Sequence, residues 1–162
     1  TYQNDSGASQ YRRGLYTWWQ RSFLHPSLVA FDAPSREECT AERNRSNIPQ
    51  QALVLLNDPT YVEAARALAA RILAECQGSI DQRVIWAWRE VLSRHPTPEE
   101  QSTLKALFEK HRAEYLKDPE AAQALLKTGL AAAPPDQPAP ELAAWTSVAR
   151  ILLNLHETIT RS

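Results

Sequence analysis

Lysine is missing ahead of Lys105, methionine is missing altogether, and only 4 glycines and 2 cysteines occur in 162 residues. Each shortage excludes something. Four glycines are few for a β-rich fold, whose tight turns call repeatedly for backbone of positive φ. The two cysteines, Cys39 and Cys76, form neither C-x-x-C nor C-x-x-C-H. Covalent c-type haem attachment and the usual zinc arrangements within this chain are therefore excluded, and without methionine so is a Met axial ligand. A disulfide between the two cysteines and a pair of buried thiols both stay open. No run reaches the ~18 apolar residues of a membrane span. A net charge of −1 gives no overall field to draw in nucleic acid or an acidic membrane. There is no G-x-S-x-G and no glycine-rich phosphate loop. His25, His95, His111 and His156 are scattered without H-x-x-x-H or H-E-x-x-H spacing. Neither a metal nor a cofactor is expected.

What is present points to helices. Hydrophobic residues make up 43% of the chain, enough for a packed core, and the 11 prolines cluster between periodic stretches. Asp58-Pro59, Ser79 with Gln82, Thr97-Pro98 with Glu100, and Asp118-Pro119 are helix starts, each with a capping side chain before the first turn. Apolar residues then recur at helical spacing: Val62, Ala65, Leu68, Ala69, Ile72 and Cys76 share one face, with Glu63, Arg66 and Glu75 set largely elsewhere. A last helix from Glu141 to about Thr160 is apolar on most sides, so it belongs at the centre of the domain or beneath a cover. The expected fold is all-α, an irregular multi-helix bundle with long connecting loops. Residues 1–10 are expected to be a flexible leader and 11–162 a single helical domain, with a Pro-rich loop over 131–140. A helix is expected over Tyr11–Phe23, extended chain over 24–34, a short helix from Ser35 to about Glu42, and a buried helix over Gln50–Leu56. Trp86, off its helix's apolar stripe, is expected to be exposed.

The chemistry-bearing residues concentrate in 12–58. Histidines aside, every cation there is an arginine, which suits forked hydrogen bonding to carboxylates and carbonyls. Cys39 with His25 has the composition of a nucleophile and its base, and Asp32 with Glu37 that of an acid/base pair. Arg12, Arg13, Arg36, Arg43 and Arg45, with Trp18, Trp19, Asp32 and Glu37, have that of a site for an anionic or carbohydrate ligand. Against all three stands a structural use. Asp32, Glu37 and Asp58 would cap helices and pair with arginines, tying down irregular connections that need backbone partners.

Four stretches carry a family resemblance. Arg12-Arg13-Gly14-Leu15-Tyr16-Thr17-Trp18-Trp19-Gln20-Arg21 is similar to R-R-S-L-Y-T-[FY]-W-K-R. Phe31 to Thr40 is similar to F-D-A-P-x-R-E-x-C-T, and Arg43 to Pro59 to R-x-R-T-N-T-P-L-Q-A-L-V-L-L-N-D-P, continued by Glu63 to Ala69. Trp145 to Leu155 is similar to W-T-x-V-A-R-x-L-L-N-L. These motifs resemble the planctomycete-specific domain of unknown function number fifteen fifty-three, the closing domain of large proteins that also carry a cytochrome-c-like domain. Gly14, Trp18 and Gln20 depart from the pattern, and Gln20 removes a charge from the first motif. The resemblance implies the C-terminal part of that domain, in an exported or periplasmic protein. It brings no established activity and no catalytic residues. The chain has Thr1 where an intact protein has methionine, and it is expected to be a fragment.

The function expected is a non-catalytic helical interaction or scaffolding module. Its partners would be other domains of the same polypeptide or a partner protein, without nucleic acid or membrane insertion. The alternatives are a binding domain for an anionic or carbohydrate ligand, and part of an enzyme completed by residues upstream.

Overall fold

The computed structural model describes residues 7–11, 16, 24–35, 37, 39–42, 44 and 46–160. Among them every regular element is a helix and none is a strand, so the all-α reading stands. The chain divides into two compact units, Thr1–Val54 and Leu55–Ser162.

In the first unit a 3-10 turn covers Gly7–Tyr11 and a short helix, α1, covers Pro26–Ala30. The sequence pattern suggests extended chain over 24–34. Pro26 instead occupies the first turn of α1, where its missing N–H and fixed φ cost nothing. No helix forms among the described residues of 35–42. The expected helix over Tyr11–Phe23 falls almost wholly outside the described residues. Helix α2, Pro49–Asn57, runs across the join between the units and has no buried residue, contrary to the buried helix expected there.

The second unit is a helical bundle made of α3 (Pro59–Glu75), α4 (Ile80–Leu92), α5 (Pro98–Lys117), α6 (Pro119–Leu126), α7 (Ala139–Leu153) and α8 (His156–Ile159). Its starts are those written in the sequence. The Asp58 side chain accepts from Thr60 N at 2.9 Å, and capping boxes close at Ser79–Gln82 and Thr97–Glu100. The Asp118 carboxylate caps α6 through Ala121 N at 3.0 Å. Ser93 ends α4 in the left-handed conformation at φ 57°.

Helix α7 is the axis of this unit. Residues 142–149 are all buried, packed mainly between α3 and α5 with α6 alongside. Trp145 meets Phe108 of α5 with ring centroids 4.5 Å apart and planes tilted by 31°. The hydroxyls that α7 buries are satisfied locally: Thr146 donates to Leu142 O at 2.7 Å and Ser147 to Ala143 O at 3.2 Å. The helix stops at Leu153, earlier than its apolar pattern suggests. Asn154 and Leu155 break it, and α8 restarts at His156, with Thr158 Oγ1 donating back to Leu152 O at 2.7 Å. No helix among the described residues is long and apolar enough to cross a membrane.

Candidate functional site

Two charged residues of α3 that a helical wheel leaves largely to solvent are not in solvent. Glu63 is 2% exposed and Arg66 3% exposed, so both charges of the family-like stretch Glu63–Ala69 lie inside the protein. Burial of a charge is tolerable only when opposite charge and hydrogen bonds replace water. Here the loop after α6 supplies them. Arg66 donates to the carbonyls of Leu126, Thr128 (2.8 Å) and Ala131. Glu63 accepts from the amides of Leu130 and Ala131, the latter at 2.9 Å, and stands 3.9 Å from the Arg66 guanidinium. Two side chains one helical turn apart therefore hold the end of α6 and the irregular backbone that follows it to Ala131, carbonyls on the arginine and amides on the glutamate. A third charge works the same way. Arg150 of α7, within the closing motif, donates through Nε (3.1 Å) and Nη2 to Leu56 O, a carbonyl near the end of α2.

The clasped loop forms one wall of a groove of about 490 Å³ that lies wholly in the second unit. Leu126 and Leu142, both buried, and half-buried Ala133 line it, with Pro134 and Pro135 beside them. Gln123, Lys127 and Gln137 are its polar side chains. Gln137 donates to Ala70 O at 3.1 Å, while its Oε1 is buried without a partner.

Two surface knots complete the electrostatics. Arg94 pairs with Glu100 and with Glu157, each at 2.8 Å, and lies over the Trp88 ring at 5.1 Å. Hydrogen bonds from Arg94, then one from the Thr97 amide, hold the Glu100 carboxyl down at about 2. The same guanidinium lowers Glu157. Arg71 bridges Glu75 (3.0 Å) and Glu90 (2.8 Å) and covers Trp86 at 5.5 Å. That ring packs against the core and is half-buried, where exposure was expected. Burial, and secondarily the Asp58 charge, raises the Tyr61 phenol.

Of the residues singled out in the sequence, Arg12, Arg13, Trp18, Trp19, Arg36, Arg43 and Arg45 lie outside the described residues. Asp32 is described, and its carboxylate accepts from Ser46 N at 2.7 Å and Ser46 Oγ at 2.9 and 2.7 Å, closing the connection between them. Gln51 Nε2 joins it through Ser46 O at 3.1 Å. Glu37 is exposed. His25 caps α1 only with its backbone, and Cys39 and Cys76 are free thiols. Among the described residues no group of three or more His, Cys, Asp and Glu is placed to hold a metal. Sequence reasoning missed Glu63 and Arg66. The one available signal was their place in a motif that otherwise runs on alanine and leucine.

Residues 1–108 match the family model described as PSD1, protein of unknown function (DUF1553), and the chain belongs to that family. No curated protein and no solved structure matches it.

Proposed function

We propose that this member of the DUF1553 family is a non-catalytic helical interaction module, a scaffold that presents a fixed surface to other domains of its polypeptide or to a partner protein. One observation carries the reading: the buried charges Glu63 and Arg66 are committed to the backbone of residues 126–131, a use that sets the shape of a loop. Arg150 does the same for the carbonyl of Leu56. Side chains held this way position structure and are poor candidates for groups that exchange protons with a substrate. The motifs quoted above suggest the setting, a large exported planctomycete protein that also carries a cytochrome-c-like domain.

Lysine-directed cross-linking of the parent polypeptide tests it. Lys105, Lys110, Lys117 and Lys127 are the chain's four lysines, three on α5 and the fourth just past the end of α6. The reading expects reproducible cross-links from them to another domain or to a co-purifying protein. Cross-links confined to this chain would overturn it. So would saturable binding of a sulfated or carboxylated polysaccharide that Arg43→Ala abolishes without loss of stability, and the arginine-rich segment would then be a ligand site.

A further inference from the structure

We infer that α8 is a strap, hinged at Asn154 and caught by the Arg94–Glu157 ion pair, that opens by itself while the bundle beneath it stays folded. Little besides the catch holds it. The helix has four residues, no buried residue, and at its N-cap Leu155, which supplies no side-chain cap. A single turn has no helical stability of its own. Ile159 is 40% exposed, so half-buried Leu155, packed against the core, is the apolar anchor of the segment. Thr158 Oγ1 adds one tie to Leu152 O. At the hinge, Asn154 has left helical geometry, with φ −99° and ψ 0°, and the rigidity of α7 ends there. Its Oδ1 is buried without a donor among the described residues. An unsatisfied buried acceptor weighs against the closed form, because opening gives it water.

Arg94 stands between two carboxylates and uses both edges of its guanidinium. Nη1 and Nη2 donate to Glu100 at 2.9 and 2.8 Å, while Nε and Nη2 donate to Glu157, each at 2.8 Å. The two carboxylates differ in what carries them. Glu100 belongs to the capping box of α5, where it also accepts from Thr97 N at 2.7 Å, so its half of the knot is fixed to the bundle. Glu157 is carried only by the strap. When α8 lifts, Glu100 and the carbonyl of His95 still hold Arg94 against the Trp88 ring. What opening frees is the Nε–H and one Nη2–H, a fork shaped for another carboxylate. Arg94 is 37% exposed and Glu157 48% exposed, so dissolved ions reach the catch. In molar salt the screening length shrinks to about 3 Å, and the attraction that closes the strap is largely lost.

Native-state hydrogen exchange on the full chain, in urea below the unfolding transition, tests this. In the closed strap the amides of Thr158 and Ile159 bond to Leu155 O, and that of Thr160 to His156 O. They are expected to show measurable protection, at least about 100-fold weaker than that of residues 144–149 in α7. Their exchange should also be nearly independent of urea, since lifting one turn exposes little surface. Glu157→Gln, a change at an exposed position, should reduce that protection about two- to fivefold, the range of an exposed ion pair. Molar NaCl should do the same to the parent and add nothing to Glu157→Gln. Three results would overturn the proposal. Protection and urea dependence shared with residues 144–149 would mean that α8 opens only when the bundle unfolds. Absence of protection in the parent at low salt would mean that the strap is never closed. An equal response to salt in parent and Glu157→Gln would mean that the ion pair is not the catch.

Discussion

Gly129 exists where it does because Glu63 stands against it. A β-carbon on residue 129 would lie 2.8 Å from the Glu63 β-carbon and closer still to its carboxylate, and the backbone there has φ +98°. The glycine is required twice, for the turn and for the approach of a buried carboxylate to the amides of Leu130 and Ala131.

Gly129→Ala should therefore destabilise the protein by about 2 kcal/mol or more, from positive-φ strain plus displacement of Glu63. A double-mutant cycle separates the two. In a Glu63→Gly background both the carboxylate and the β-carbon that crowd residue 129 are gone, and Gly129→Ala should then cost only the backbone part, about 1 kcal/mol. Equal costs in both backgrounds, measured by urea denaturation, would show that the close approach does not matter.

Arg66→Ala removes the guanidinium that stands 3.9 Å from Glu63 in the interior and orphans the carbonyls of Leu126, Thr128 and Ala131. Breaking a buried pair from one side costs about 3–5 kcal/mol. The expected result is a large fall in melting temperature, while Lys117→Ala, at an exposed position on the last turn of α5, leaves it unchanged. A melting temperature for Arg66→Ala within error of the parent would remove the clasp as a source of stability.

These residues also mark the limit of what the sequence discloses. Helix starts were legible because a cap is a local event: Asp58 and Thr97 reach amides two or three residues away, so the pattern and its partner lie in one short stretch. The apolar stripe of α3 and the central place of α7 were legible from periodicity. The burial of Glu63 and Arg66 was not. Their partners are carbonyls and amides 60 or more residues away, and every residue has those groups, so no side-chain pattern announces them. The break after Leu153 was hidden for a different reason. Apolar residues continue through Leu155 and Ile159, and what ends the helix is backbone geometry at Asn154. Within the arginine-rich candidate site the carboxylate of Asp32 is bound by Ser46, 14 residues on, a partner that no cap or charge pattern announces.

Asp32 sits at φ 56°, a left-handed position where aspartate is tolerated better than most residues. Asp32→Gly keeps that conformation accessible and removes only the carboxylate. The Ser46 amide, now without its acceptor, should exchange with solvent several-fold faster, and the segment between 33 and 45 should become more open to limited proteolysis. A net cost of about 1 kcal/mol is expected for bonds this exposed. Unchanged protection at Ser46 would mean that the loop is closed by other contacts.

The Arg94 knot gives the protein an acid-sensitive joint between α4, α5 and α8. The folded Glu100 carboxyl titrates at about 2, against an ordinary value of 4.5, because Arg94 and the Thr97 amide favour its charged form. A group whose pKa is lowered by folding stabilises the fold at pH above its unfolded value and loses that contribution as pH falls through its folded value. Glu157, lowered by the same guanidinium, acts in the same direction. At neutral pH Glu100→Gln should thus melt below the parent. The gap should hold down to about pH 4.5, narrow steadily below it, and close near pH 2, where the parent carboxyl is protonated as well. Both partners are partly exposed, so the gap at pH 7 should also shrink in molar salt. A gap independent of pH between 5 and 2 would show that the charge of Glu100 is not the source of its contribution.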